Sequence, residues 1–136
     1  MSDALSDSFE ASVLNYLFTT NTPSPARPTS WYVGLFASGN EPTDSSGGTE
    51  VSGNNYSRVS ATFSGSGTSP TTASNTATLT FPTASGSGWN TITACAIFDA
   101  SSGGNLIAYS TLSNSKAISA NDILQISAGQ LSCTLT

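Results

Sequence analysis

With 136 residues and a net charge of −5, the chain is the length of one domain, enough to bury roughly 65–70% of its unfolded surface without a metal or disulfide staple. Only 8% of the residues are charged, against about 25% in an ordinary soluble domain, and about a third are Ser or Thr. The fixed cations are three scattered residues, Arg27, Arg58 and Lys116, too few to neutralise a phosphate backbone, which argues against direct nucleic-acid binding.

A hydroxyl-rich surface costs little to desolvate and suits extensive protein contact. The 37% of hydrophobic residues fall in regularly spaced, strand-like runs that disordered chains lack. No apolar run approaches the ~18 residues of a membrane span, and no signal pattern opens the chain, so synthesis in the cytoplasm is expected.

The first element is the one predicted helix, over about residues 6–18. Leu5, Phe9, Val13 and Leu17 recur every fourth residue, with Leu14 and Phe18 widening the stripe. Asp7 and Glu10 resemble a capping box, and prolines 23, 25 and 28 forbid continuation. This amphipathic stripe must be covered, either by its own sheet or by a groove of a neighbouring subunit. Phe9 and Val13 are therefore candidate partner contacts.

Residues 29–37 read as a strand, with Trp31, Val33 and Leu35 on one face and Tyr32 and Phe36 on the other, around a Gly34 that permits close approach or a bulge. Residues 38–55 form a long polar loop carrying Glu41, Asp44 and Glu50. Loops of this length are commonly functional. The acids lack the spacing of an EF-hand, so the expectation is a solvated interaction loop, with these three as candidate partner contacts and no metal.

Residues 56–64 alternate as a one-side-exposed strand, Val59, Ala61 and Phe63 inward and Arg58, Ser60 and Thr62 outward. A Gly/Ser/Thr loop is expected over 65–75, then a strand with Ala77, Leu79 and Phe81. Residues 89–109 read as a β-hairpin around the Gly-rich connection 101–105. Its first strand places Ile92, Ala94, Ala96 and Phe98 on one face and Thr91, Thr93, Cys95 and Ile97 on the other, a pattern buried on both sides. Short strands at 122–127 and 131–136 end the chain. Cys95 and Cys133 are expected as small buried hydrophobes, a cross-strand disulfide being the alternative. The fold class is thus mainly β: a single-domain antiparallel β-sandwich or jelly-roll-like body with one N-terminal amphipathic helix.

No chemistry is visible. There is no histidine, no nucleophile elbow and no phosphate-cradling glycine motif. The expectation is no enzyme, no catalytic residue, no cofactor and no metal site.

The segments LNYLF (14–18), WYVGLF (31–36), TEVSGNNYSRV (49–59), TATLTFPTAS (76–85) and IFDASSGGNLIAY (97–109), followed by SK (115–116), resemble a family of small tailed-bacteriophage virion structural proteins, often labelled tail fibre protein. Members often carry a His and a Gly just before IFDA. Here that stretch is Ala94, Cys95 and Ala96, so no role of such a histidine carries over. The resemblance implies a virion location, partners among the major capsid or tail proteins, and a homo-oligomer. The expected function is a capsid cement or decoration protein bound across capsomers. The alternative is a tail-fibre or adhesin component that binds a host receptor, where Trp31, Tyr32 or Trp89 would stack on sugars if not buried. The chain has neither heptads nor shaft repeats, which favours the cement reading.

Overall fold

A computed structural model describes residues 4–66 and 71–135. In chain order the elements are β1 (Ala4–Leu5), α1 (Asp7–Phe18), β2 (Trp31–Ala37), β3 (Val59–Ala61), β4 (Phe63–Ser66), β5 (Thr71–Asn75), β6 (Leu79–Thr80), β7 (Asn90–Phe98), β8 (Leu106–Ile118), β9 (Gln125–Ile126) and β10 (Ser132–Leu135). The protein is mainly β, with antiparallel sheets and one N-terminal helix. The largest sheet runs β1-β8-β7-β2-β3, a second runs β10-β5-β4, and β6 pairs with β9.

The hairpin of β7 and β8 sits at the centre of the large sheet, and β2 lies against β7 with Val33 opposite Ile97, Leu35 opposite Cys95 and Phe36 opposite Ala94. Strands β2 and β7 are apolar on both faces because both faces are covered. Val33, Leu35, Cys95 and Ile97 join Phe81, Trp89, Leu124 and Leu131 in the main core. Phe36, Ala94, Ala96, Phe98 and Tyr109 form a second cluster on the opposite face. Ile92 departs from the predicted alternation. The register shifts between Ile92 and Ala94, so Ile92 joins the main core rather than the face of Ala94.

The run 56–64 is not one strand. Val59, Ala61 and Phe63 do face the main core, but β3 pairs with β2 while β4 pairs with β5, so the chain changes sheets at Thr62. The predicted loop 65–75 contains β5; residues 67–70 lie outside the described residues. The strands expected near 77–81 and 122–127 shorten to the two-residue β6 and β9. Neither cysteine forms a disulfide: Cys95 is buried and Cys133 half-buried, and burial raises the Cys133 thiol above its ordinary pKa.

Arg58, predicted to face solvent, is instead buried against the second face. The loop after β2 doubles back along the edge of that strand past Val33, where its pairing with β3 ends. The Val51 amide donates to the Leu35 carbonyl (3.0 Å), and the Tyr56 hydroxyl accepts from the Leu35 amide (2.8 Å). Two groups of the loop thus satisfy backbone that a neighbouring strand would otherwise pair. Asn54 and Asn55, both at positive φ, fasten its far end. The Asn54 amide donates to the Gly88 carbonyl, the Asn55 amide to the Thr83 carbonyl, and the Trp89 indole to the Asn54 carbonyl.

Gly34 is required by this arrangement for space rather than for backbone freedom. A Cβ there would fall 2.5 Å from Glu50 Oε1 and 2.9 Å from the Phe98 ring. Gly34→Ala is expected to destabilise the fold by about 1–3 kcal/mol through overpacking, read as a lower urea midpoint with unchanged slope. An unchanged midpoint would show that Glu50 does not lie over this strand.

Candidate functional site

A network of polar side chains ties the loop after β2 to the large sheet. Arg58 is the centre of this network. Its Nε donates to Glu50 Oε1 (2.9 Å), Nη2 donates to Glu50 Oε2 (2.7 Å), and Nη1 donates to the carbonyls of Ala100 and Gly103 (2.7 and 2.8 Å). Its guanidinium carbon lies 3.5 Å from the centroid of Phe98, a stacked cation that also forks onto a carboxylate. The Tyr56 hydroxyl donates to Glu50 Oε1 (2.6 Å). Burial, reinforced by that carboxylate, holds the Tyr56 phenol protonated well above the usual tyrosine range.

The other two loop acids also reach back to the sheet. Thr93 Oγ1 donates to Glu41 Oε1 (2.6 Å) and the Gly39 amide to Glu41 Oε2 (2.8 Å). The Tyr109 hydroxyl donates to Asp44. The hydrogen bond from Thr93, then the loop's own backbone donors, hold the Glu41 carboxyl below its ordinary pKa. The structure therefore places Glu41, Asp44 and Glu50 over one sheet face but gives each a separate internal partner. Among the described residues no group of three or more His, Cys, Asp or Glu side chains could hold a metal ion.

Helix α1 is rooted in the same region. The Ser6 amide donates to the Ile107 carbonyl and the Asp7 amide to the Asp44 carbonyl. Ser6 occupies the N-cap position without capping, because its hydroxyl donates instead to the Leu106 carbonyl (2.6 Å). No capping box forms. Phe9 and Ser12 are buried, and Ser12 Oγ donates to the Pro25 carbonyl. Beyond that root the stripe is bare: Val13 is 42% exposed, Leu14 58%, Tyr16 75%, Leu17 61% and Phe18 78%. Of the helix residues predicted from sequence as contacts, Phe9 lies inside its own domain and Val13 opens the exposed part.

An open groove of about 620 Å³ lies on the other side of the large sheet, between the far half of β8 and the β9 to β10 segment. Its exposed lining is more polar than apolar: serines, threonines and amides surround Leu112 and Ile126, Leu124 and Leu131 are buried beneath them, and Lys116 is its one charged lining residue among the described residues. Sequence reasoning missed it, because its two sides are distant in the chain. Trp89 is buried and Trp31 and Tyr32 half-buried.

A family model described as Podophage GP4 fiber I protein gp80 matches residues 4–134. The chain belongs to that family. Membership makes it a phage virion structural protein of fibre type. No curated protein matches the chain. In this member of the gp80 family, the segment 31–36 is β2, 49–59 is the strap carrying Glu50 and Arg58, and 97–109 spans the hairpin turn that Arg58 grips. The segment 14–18 is the exposed end of α1. No helix among the described residues is long and apolar enough to cross a membrane.

Arg58→Ala leaves the part-buried Glu50 carboxylate, whose side chain is 22% exposed, without its counter-ion and is expected to cost about 1–3 kcal/mol. The double variant Glu50→Gln with Arg58→Met removes both charges and is expected to recover much of that loss in denaturant titrations. A double variant no better than Arg58→Ala would show that the charges themselves are not coupled. Glu41 supplies a pH test. A carboxyl whose pKa is lowered on folding stabilises the fold above its unfolded pKa, and loses that contribution as pH falls through the lower folded value. The stability advantage of the native chain over Glu41→Gln is therefore expected to be full at neutral pH and to shrink on acidification below the ordinary carboxylate range. A difference that stays constant across that window would remove the Thr93 contact as its cause.

Proposed function

We propose that this chain is a non-enzymatic, fibre-type subunit of the phage virion: a braced β body that joins neighbouring virion proteins through the exposed face of α1. The carrying observation is that helix. Tyr16 and Phe18, each three-quarters or more exposed, leave on the order of 300 Å² of aromatic surface open to water. With Val13, Leu14 and Leu17 the apolar face reaches on the order of 500 Å², at the upper end of what a monomer carries without a partner. The remaining body supports a structural rather than a chemical role. Its loop carboxylates each accept bonds from the sheet or from Arg58, and the sequence has no histidine to act as a base at neutral pH.

Family membership favours a fibre-type subunit over a head cement protein, although both would use the same contact chemistry. Synthesis in the host cytoplasm and assembly as a homo-oligomer belong to this reading. Copy number separates the alternatives. Quantitative mass spectrometry of purified particles is expected to find few copies relative to the major capsid protein. Near-parity with the major capsid protein would make this a shell component and end the fibre reading.

A further inference from the structure

Four residues of β8 stand opposite a single residue of β7. Ile92 pairs with Lys116 and Ala94 with Thr111, which leaves residues 112–115 facing Thr93 alone. A bulge of this width interrupts the hydrogen-bond ladder and re-aims the side chains it carries. Leu112, Ser113 and Asn114 from the bulge line one wall of the open groove, and residues 124–127 and 130–132 line the other. We propose that this groove binds a short acidic saccharide, its amides and hydroxyls taking the sugar hydroxyls and Lys116 the acidic group. The site is separate from the contact through α1, so either can fail without the other.

The first support is that the groove's polar groups are not used by the fold. Glu41, Asp44, Glu50 and Arg58 each bond internally. By contrast, the side chains of Ser113, Asn114, Lys116 and Gln130 have no bonding partner among the described residues, and all four are exposed. Gln125 uses one amide hydrogen on Thr80 and keeps its remaining capacity. Unpartnered donors and acceptors therefore gather from both walls on one concave surface.

The second is the match of chemistry. Amide side chains present donors and acceptors together, and each sugar hydroxyl also donates and accepts. Leu112 and Ile126, half-buried among these groups, offer apolar contact to the C–H face of a sugar ring. The volume of about 620 Å³ falls within the roughly 300–1,000 Å³ of small-molecule sites. Lys116 meets no acid and no acid lines the groove, so a carboxylate or phosphate on the ligand completes a charge-assisted hydrogen bond. One cation is too few for a nucleic-acid backbone. An extended peptide docks by continuing a regular strand edge, and the bulge removes that regularity from this wall.

The test is nuclear magnetic resonance of the full chain, titrated with trigalacturonate, its neutral methyl ester and maltotriose phosphate. Trigalacturonate is expected to shift the backbone amides of residues 111–116 and the side-chain amides of Asn114, Gln125 and Gln130, while the strap at 38–55 stays unmoved. Lys116→Gln, at an exposed and unpaired position, is expected to keep the native spectrum elsewhere and to weaken trigalacturonate binding about tenfold, as loss of one charge-assisted hydrogen bond. Its affinity for the methyl ester is expected to stay unchanged. Asn114→Ala is expected to weaken both. A larger response to maltotriose phosphate than to trigalacturonate would assign phosphate as the acidic group. No response of the groove amides to either acidic probe overturns the proposal. So does a Lys116→Gln chain that binds trigalacturonate like the native one. An acidic Ser/Thr-rich peptide that shifts the same amides more strongly than any sugar also overturns it, and would make the groove a peptide site.

Discussion

Arg58 and Glu50 meet above Gly34 and Phe98, and the other side of the large sheet exists as a buried face because of that pair. A five-stranded sheet with apolar side chains on both faces needs two covers. One is supplied by the strands of the smaller sheets. The other is a loop, and a loop has no continuous hydrogen-bond ladder to hold it down. The ion pair substitutes for that ladder at one point, forking the guanidinium onto the carboxylate while its remaining donors clamp the carbonyls of Ala100 and Gly103. Such a pair adds little net stability relative to an apolar replacement, yet breaking it is costly. Its effect is to specify one seating of the strap: Glu50 fits only over a residue without a Cβ, and Arg58 stacks only where Phe98 offers its ring.

The same economy of charge runs through the whole molecule. With three cations and eight acids, few side chains can form ion pairs, and hydroxyl, amide and backbone groups do most of the polar bonding. Asn54, Asn55, Tyr109, Thr93 and Ser6 each bridge distant segments with one or two hydrogen bonds. A body built this way carries few charges on its surface. That suits a subunit whose contacts must form at close quarters without repelling copies of itself, since a charged rim would impose a like-charge penalty at every repeat.

Against that background α1 stands out. Its first turns are bound to the sheet and to Asp44, while its last turns carry bulky apolar groups into solvent. An isolated helix of this length is marginal in water, so its free end gains order from whatever it lies against. The segment that breaks the pattern of internal bonding is also the segment with no charge, and both properties fit burial on a surface of the same low charge.

The alternation of Val33 and Leu35 against Tyr32 and Phe36, the doubly apolar run before the Gly-rich turn, and the four-residue spacing of Leu5, Phe9, Val13 and Leu17 were legible as elements, because side-chain periodicity is a local property. Mainly-β character and one N-terminal helix followed from them. The residues that resemble tailed-phage virion proteins carried the family for the same reason, as short stretches readable one at a time. Partnership was not legible. Glu41 and Asp44 read as solvated loop acids, since their partners Thr93 and Tyr109 lie far along the chain; Glu50 read the same way although Tyr56 and Arg58 are only six and eight residues on, because nothing local turns them toward it. Arg58 read as exposed because strand alternation puts it opposite Val59, and only the folded strap reveals that its face is covered too. The short β6 and β9, the change of sheet at Thr62 and the groove beside Lys116 depend on segments brought together from far along the chain. Local sequence determined which residues seek burial; tertiary structure decided what buries them, because burial and hydrogen-bond satisfaction are properties of neighbours in space.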